Sequence, residues 1–330
     1  MASSEIEVVS SSDSNAQQKN PNEEVSVAPV IDVFSASAYG DFDKLRKFVE
    51  EDGASLSQPD LNGYYALQWA ALNNFPHIVQ YIVEHGGDVN ATDNILQTAL
   101  HWAAVRGAIA VADVLLQNGA RVEAADFNGY RAVHVAAQYG QTAFLNHIIA
   151  KYQADFDVPD NEGRSPLHWA AYKGFADTIR LLLYRDASQG KQDKEGCTPL
   201  HWAAIRGNVE ACSVLVHAGT KQELMVKDNA GFTPGQLASD KGHRHVALFL
   251  SNAQRAHSNN WGDKICGGKM TDIGYAPILF AIIIILTVLF INSVLAAPNL
   301  TKVTAVVGLW GWGAVSLAVG SLIMFYKCAR

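Results

Sequence analysis

A seven-residue phrase recurs along the middle of the chain at a nearly constant spacing. It reads TPLHWAA at 198–204, SPLHWAA at 165–171 and TALHWAA at 98–104, with looser copies at 65–71, 131–137 and 233–239. Its fourth position is held in turn by Gln68, His101, His134, His168, His201 and Gln236, in steps of 33, 33, 34, 33 and 35 residues. One unit of this length cannot bury its own apolar face, so the spacing predicts a stack of similar units.

The period of 33 residues and the T-P-L-H-x-A phrase are typical of ankyrin repeats. In each unit the Thr or Ser caps a first helix, a Pro suits its first position, and a Gly such as Gly107 ends it. A second helix and an Asp-x-x-Gly turn complete each unit. In one unit Leu96 stands where the Gly after Asp93 is expected, which predicts a strained or differently shaped turn. The predicted fold class is an all-α ankyrin-repeat solenoid of helix pairs with β-turn tips. It covers about seven units over residues 32–256, with atypical end units and Phe34 in the first His position.

Four of the repeated positions hold histidine, which raises the question of a metal site. Stacked helices lie about 8–10 Å apart, whereas metal–nitrogen bonds are about 2 Å long. The rings of successive units therefore cannot converge on one ion, and we interpret them as bridges between the backbones of adjacent turns. We predict no metal site, no catalytic residue and no cofactor in this chain.

The positions that follow the paired alanines vary in character from unit to unit. They include Asn73, Arg106, Tyr139 and Tyr172. Solenoids use one face as an extended binding surface, so these side chains favour binding of an extended peptide. A simply solvated face is the alternative. The tryptophans that follow the His positions are interpreted as packing residues between helices.

The composition outside the repeats limits the class of protein. Residues 1–31 hold five acidic residues against one Lys and are rich in Ser and Asn, which predicts disorder. They lack the basic and apolar regions of a secretory signal peptide. A formal net charge of −7 argues against a nucleic-acid partner. The four cysteines have neither zinc-site nor disulfide spacing, so we expect reduced thiols.

Two uncharged apolar stretches follow a juxtamembrane linker at 257–275. Residues 276–297 and 303–326 each exceed the roughly 20 residues that a helix needs to cross a bilayer. Residues 298–302 between them allow only a short lumenal loop. We therefore predict a two-helix transmembrane hairpin, with the lipid bilayer as a partner of the chain.

The few charges beside these stretches set the expected orientation. The loop holds only Lys302, whereas lysines precede the first stretch and Lys327 and Arg330 follow the second. The positive-inside rule then predicts a multi-pass protein whose termini, repeat domain and tail at 327–330 are cytosolic. Cys328 lies at the membrane exit beside basic residues, where S-acylation occurs. An unmodified interfacial thiol is the alternative.

The order of repeats and hairpin, with three longer phrases, carries a specific resemblance. The phrases are GYYALQWAALN at 63–73, RSPLHWAAYKG at 164–174 and QDKEGCTPLHW at 192–202. The whole chain closely resembles plant ankyrin-repeat protein S-acyltransferases (palmitoyltransferases) of the tip-growth-defective type. In that family a zinc-binding domain with an Asp-His-His-Cys motif follows the second helix, and its cysteine passes palmitate from palmitoyl-CoA to protein thiols. The resemblance implies location in the Golgi or another endomembrane.

The resemblance also says which part of that function this chain holds. It reaches Arg330 without an Asp-His-His-Cys motif, so we expect it to be inactive alone, with zinc and palmitoyl-CoA belonging to a catalytic domain outside it. In related enzymes the ankyrin groove captures short, extended, Pro-containing motifs of cytosolic substrates. The matching positions are Asn73, whose amide can pair with a peptide backbone, and Trp102, whose indole can pack on a Pro ring. The alternatives are a stand-alone membrane adaptor or scaffold and a truncated isoform that competes for substrates.

Overall fold

The computed structural model describes residues 30–219 and 221–258. These residues form helices and turns without a β-strand. The helices, in chain order, are α1 (Val33–Tyr39), α2 (Phe42–Glu50), α3 (Ala66–Leu72), α4 (Pro76–Glu84), α5 (Ala99–Arg106), α6 (Ile109–Gln117), α7 (Ala132–Gln138), α8 (Thr142–Tyr152), α9 (Pro166–Lys173), α10 (Ala176–Tyr184), α11 (Pro199–Arg206), α12 (Val209–Ala218), α13 (Lys221–Met225), α14 (Pro234–Asp240) and α15 (Arg244–Ser258).

Consecutive helices pair, and the pairs stack side by side in two rows. The inner row runs α1, α3, α5, α7, α9, α11 and α14, and the outer row runs α4, α6, α8, α10, α12 and α15, each helix packing on the next. The paired alanines of the inner helices are fully buried, which allows close approach. Large side chains of the outer helices fill the space between the rows, among them Ile82, Leu115, Ile148, Leu182 and Leu215. This architecture confirms the predicted all-helical solenoid.

The repeated phrase sets where each inner helix begins. Its Thr or Ser is the N-cap residue in extended conformation, and the prolines of three copies occupy the first helical turn. The first unit differs from its prediction, because α1 begins after Asp32 and places Ser35, not Phe34, at the third helical position. The Asp32 carboxylate accepts the Ser35 amide at 2.7 Å, and Ser35 Oγ accepts the Asp32 amide at 3.1 Å. An acidic cap therefore replaces the His-based start used elsewhere.

The turn that lacks glycine keeps the shape of its neighbours. Leu96 has φ +64°, in the left-handed region, and its amide donates to the Asp93 carbonyl at 2.9 Å. Gly129 makes the same bond to Asp126 at 2.9 Å in the next unit. The turn is thus strained and not differently shaped. A non-glycine residue pays roughly 1–2 kcal/mol for this conformation.

Several predictions fall on residues 1–29 and 259–330, outside the described part of the chain. They concern most of the N-terminal segment, most of the linker, both apolar stretches, their loop, the tail and Cys328. Within the described residues, each helix is too short or too polar to cross a bilayer. Cys197 and Cys212, the cysteines of this part, are buried free thiols. Burial raises the pKa of both to about 12, so they stay protonated.

Candidate functional site

The repeated histidines each join two neighbouring units through both ring nitrogens. His101 Nδ1 accepts the backbone N–H of Thr98 at 3.1 Å, and its Nε2–H donates to the Tyr130 carbonyl of the next unit at 2.9 Å. His168 repeats the pattern with the Ser165 amide at 3.0 Å and the Cys197 carbonyl at 3.2 Å. The acceptor role of Nδ1 toward an amide fixes a neutral ring with its proton on Nε2. The structural role predicted for these histidines is confirmed in its geometry.

The histidine also changes how the cap residue is used. At three inner helices the cap hydroxyl bonds to the imidazole, as between Thr198 Oγ1 and His201 Nδ1 at 2.8 Å. In the last unit Gln236 replaces the His, and the Thr233 hydroxyl accepts the Gln236 amide at 3.4 Å. The Gln side chain can still accept the cap amide through Oε1, at 2.9 Å. His and Gln are therefore alternative solutions for one structural position.

Burial holds these histidines neutral. It lowers the pKa of His101 and His201, and lowers that of His134 and His168 to about 4. In the described residues, no three His, Cys, Asp or Glu side chains are grouped so that they could hold a metal ion.

The tryptophans that follow these positions are fixed by the turn aspartates, a contact that the sequence reasoning missed. Each indole N–H donates to the carboxylate of an Asp nine residues earlier, for instance Trp102 to Asp93 at 3.3 Å and Trp202 to Asp193 at 2.8 Å. The same bond joins Trp69 to Asp60 and Trp169 to Asp160. The constant nine-residue spacing was visible in the sequence and was the available signal. The bond ties each turn to its own inner helix.

Aromatic rings of successive units meet along the inner face, which comprises the inner helices and the turn tips. Tyr64, Trp69 and Trp102 form a mutual edge-to-face group with ring centroids 5.0–5.8 Å apart. A second row runs through Tyr130, Trp169, Tyr172 and Trp202 with centroid distances of 5.4–6.0 Å. Edge-to-face contacts of this kind are favourable for aromatic pairs. The inner face is therefore a firmly packed aromatic surface.

Two guanidinium groups lie over the second aromatic row. Arg164 covers the Trp169 ring at 4.5 Å and also donates to Asp160 at 3.0 Å. Arg206 covers the Tyr172 ring at 4.9 Å and is exposed. Cation–π contacts of exposed groups contribute about 0.5–1 kcal/mol. These contacts hold both cations against the face, and Arg164 also donates to the Tyr130 hydroxyl at 3.2 Å.

The candidate binding residues occupy different environments on this face. Asn73 caps α3, is half-buried, and donates from Nδ2 to the Trp69 carbonyl at 3.1 Å. Trp102 is only 5% exposed. Arg106, the last residue of α5, is exposed, and Tyr139 and Tyr172 are half-buried. The structure connects Asn73 to Trp102 through Trp69, whose ring lies 5.5 Å from Trp102. Peptide binding at these positions stays a prediction.

Comparison with known proteins agrees with this architecture. A family model described as "Ankyrin repeats (3 copies)" matches residues 33–126, 122–193 and 185–260. The ankyrin repeat domain of human ASB11 superposes with a TM-score of 0.60 at 24% identity, over 67% of this chain and 96% of that domain. The ankyrin repeat domain of Bcl-3, an IkappaB family member, superposes with a TM-score of 0.55 at 25% identity. The match covers 67% of this chain and 98% of that domain.

One curated relative matches the chain from end to end. It is the probable protein S-acyltransferase 23 of Arabidopsis thaliana, 63% identical over all 330 residues. The chain spans 61% of the length of that protein. The similarity therefore extends through the repeats and through the two apolar stretches beyond them.

Proposed function

The chain belongs to the ankyrin-repeat family, and on this premise we propose that it recruits cytosolic proteins to a membrane for S-acylation. The observation that carries the proposal is the 63% identity, over the whole chain, to a probable protein S-acyltransferase. In this proposal the chain is the substrate-recruiting part of such an enzyme. The 330 residues contain no Asp-His-His-Cys motif, so in this proposal the transfer of palmitate would be carried out by a separate zinc-binding, cysteine-rich domain.

Recruitment would use the inner face. Extended peptides bind repeat proteins along such continuous surfaces, and the aromatic rows offer rigid contact area that loses little entropy on binding. Trp102 is buried and already donates its N–H to Asp93, so only a small part of its ring could contact a peptide. The half-buried Trp69 presents more surface beside it. We propose that Asn73 and this tryptophan pair contact a Pro-containing segment of the substrate.

Anchoring would use the two apolar stretches at 276–297 and 303–326. Their length, the lysines and arginine at their cytosolic ends and the membrane chemistry of S-acylation all support this part of the proposal. An endomembrane location follows from the same relationship. S-acylation of Cys328 is a further expectation. Hydroxylamine-sensitive acyl exchange on the chain expressed in cells should label Cys328, and the absence of that label would contradict this expectation.

Site-specific photo-crosslinking tests recruitment. A benzophenone amino acid replaces Tyr172, on the inner face, in the full chain expressed in plant cells. The matched control carries the same group at Tyr184, which is 83% exposed at the end of the outer helix α10. Proteins crosslinked at 172 should be enriched in hydroxylamine-sensitive S-acyl cysteines relative to those crosslinked at 184. Equal S-acylation in the two sets would contradict the proposed recruitment.

A second measurement assigns the contact positions. Peptides derived from the crosslinked proteins should lose affinity for Asn73→Ala and Trp102→Ala variants of the full chain. Trp102 is buried, so the thermal midpoint of each variant is measured in parallel, and Trp69→Phe serves as a milder change on the same surface. Unchanged peptide affinity in both alanine variants would exclude these two residues as the peptide contact.

A further inference from the structure

The last helix of the described stack differs from the other outer helices at a surface position. The fifth residue of each helix from α4 to α12 in the outer row is polar and at least partly exposed. These residues are Gln80, Asp113, Asn146, Arg180 and Ser213. In α15 the same position holds Leu248, which is 61% exposed. The last outer helix therefore presents an apolar side chain where the others present a polar one.

Two arginines flank this leucine on the same side of the helix. Arg244 lies four residues before Leu248 and Arg255 lies seven residues after it, spacings that place all three on one helical face. Both arginines are exposed, and among the described residues neither guanidinium has an ion pair, a hydrogen bond or a ring contact. We call Arg244, Leu248 and Arg255 the α15 face.

The acidic residues around the α15 face leave its charge unpaired. The 15 residues of α15 include no Asp or Glu. The helices α12, α13 and α14, which pack on α15, carry Glu210, Glu223 and Asp240. Glu210 pairs with Arg180 at 3.1 Å and Asp240 with Lys241 at 3.4 Å, and the half-buried Glu223 has an interaction of its own. The positive charge of the face is therefore available to a partner.

Helix stability does not explain the arginine at the start of α15. Arg244 is the first residue of this helix, and its first turn has no acidic residue. A cation there opposes the positive end of the helix dipole. The outer helices α10 and α12 instead begin with Asp177 and Glu210 in their first turns. The dipole can account for Arg255, near the other end of α15, but not for Arg244.

We propose that the α15 face contacts an anionic lipid surface, and this proposal rests on the proposed membrane anchoring. A helix with basic residues beside an exposed apolar one suits the headgroup region, where guanidinium groups meet phosphates and leucine meets the acyl chains. Within the described stack, α15 is the helix nearest along the chain to the apolar stretch at 276–297. The contact would hold the last unit of the stack against the membrane.

The distribution of charge along the chain favours the same orientation. Residues 221–258 hold five Lys and Arg against three Asp and Glu, whereas residues 30–219 hold 14 against 22. An anionic surface therefore repels the larger part of the stack and attracts its last unit. Two arginines and one leucine make a weak contact by themselves. Anchoring through the apolar stretches would strengthen it by raising the effective concentration of lipid near the helix.

A fluorescent label placed between Leu248 and Arg255 tests the contact. The full chain carries N252C together with C266S and C328S, is labelled with NBD through the new thiol, and is reconstituted in phosphatidylcholine vesicles with or without phosphatidylserine. The other two thiols are buried and protonated, so they should not react. With phosphatidylserine, the NBD emission should gain intensity and move to shorter wavelength. High salt should reduce this change because it screens exposed charges.

Variants of the labelled chain identify the groups responsible. R244Q/R255Q should lose most of the response, since each lost charge lowers the ratio of bound to free helix about fivefold. R244K/R255K should keep it, because attraction to headgroups requires charge and not the shape of a guanidinium group. L248Q should reduce it. The matched control K47Q/R180Q removes two positive charges from α2 and α10 and should respond like the wild type. Thermal unfolding in detergent shows whether any variant acts through stability.

Resistance to extraction by alkaline carbonate measures the anchoring separately. If the chain resists extraction but the label at 252 does not respond to phosphatidylserine, the α15 proposal fails and the anchoring stands. The same conclusion follows if R244Q/R255Q and K47Q/R180Q respond alike. If carbonate extracts the chain but the response at 252 still requires the arginines, the anchoring fails and the α15 contact stands.

Two other outcomes would assign the response to a different cause. The same label at Y184C, 83% exposed at the end of α10, should not respond to phosphatidylserine. An equal response there would indicate nonspecific adhesion of the stack and overturn the proposal. A change at 252 that appears in detergent and grows with protein concentration would assign the α15 face to a second copy of the chain and overturn its assignment to lipid.

Discussion

At the scale of single residues, one short phrase specifies several hydrogen bonds. The His of the phrase bridges two units, and the following Trp is held by a turn aspartate nine residues earlier. The bridging role was predicted from the repeat pattern, after the spacing of the units had excluded a shared metal ion. The Trp–Asp bond was not predicted, since periodic tryptophans were interpreted through apolar packing alone. A polar atom on an apolar ring is easily overlooked in a pattern of hydrophobic residues.

The buried neutral histidines predict acid sensitivity. The pKa of His168 is about 4 because of burial, against an ordinary value near 6.5. Below pH 6.5 the unfolded chain takes up a proton that the folded chain refuses until about pH 4, so stability falls as pH drops through this window. H168Q cannot titrate, and Gln68 shows that Gln makes both bridges, at 2.9 and 2.8 Å. The free energy of unfolding of H168Q should equal that of wild type at pH 7.5. At pH 5 it should exceed that of wild type by about 2 kcal/mol.

Urea unfolding of the full chain, followed by tryptophan fluorescence at several pH values, measures this difference. The control is H217Q, at an exposed position in the last turn of α12. It should leave the pH dependence of the unfolding free energy unchanged. An identical pH slope for H168Q and wild type would contradict a neutral bridging role for His168.

At the scale of helices, the inner and outer rows are joined to their neighbours by different means. The inner helices pack through alanines and histidine bridges. The outer helices α6 and α8 are joined by one carboxylate: Asp113 Oδ1 accepts from His147 Nε2 at 2.7 Å, Lys151 Nζ at 2.9 Å and Tyr152 OH at 2.7 Å. The sequence predicted both helices but not this bond set, because its members are 34–39 residues apart and the outer helices have no fixed phrase to set their rotation.

The bonds to Asp113 predict a second loss of stability, at lower pH than the loss caused by the histidines. Burial raises the pKa of Asp113, but the three donors outweigh burial and lower it to about 2. The stabilisation is therefore complete above the ordinary value near 3.9 and is lost as pH falls toward 2. D113N should lower the unfolding free energy by roughly 1–3 kcal/mol at neutral pH, since hydrogen bonds to a charged group are involved. D177N, whose ion pair with Arg180 is exposed, should change it by less than about 1 kcal/mol.

Unfolding midpoints of both variants at pH 7 and pH 3 provide the measurement. The loss of stability caused by D113N should be smaller at pH 3 than at pH 7. At pH 3 the Asp113 carboxylate is largely protonated in the unfolded wild-type chain, so its ionised form contributes less to stability. A D113N protein as stable as wild type at pH 7 would mean that the three donors are satisfied equally well by solvent.

At the scale of the whole molecule, the repeat period specified most of what the structure shows. Helix pairing, stacking order and the bridging histidines follow from a phrase that recurs with little change, whereas the neutral state of those histidines required the structure. Departures from the phrase were harder to interpret. The first unit uses Asp32 and Ser35, which do not resemble the phrase at all. The candidate binding positions vary between units and leave no periodic signal, so the repeat pattern cannot assign them and peptide binding there stays a prediction.

A stack held together mainly by neighbouring units should unfold according to the position of the damage. In the described residues, the extensive helix contacts join helices of one unit or of adjacent units, so stability is approximately a sum of unit and interface contributions. Leu45 in α2 and Leu145 in α8 are both fully buried, and truncation of either to Ala should cost about 2–5 kcal/mol locally. L45A lies in the first helix pair, which can open alone, whereas L145A lies in a central unit whose loss exposes interfaces on both sides. Hydrogen exchange should therefore show protection lost only near α1–α3 in L45A, but from α5 to α12 in L145A. If L45A reduced protection in α9–α12 as strongly as L145A does, the stack would be a single cooperative unit and the nearest-neighbour description would be wrong.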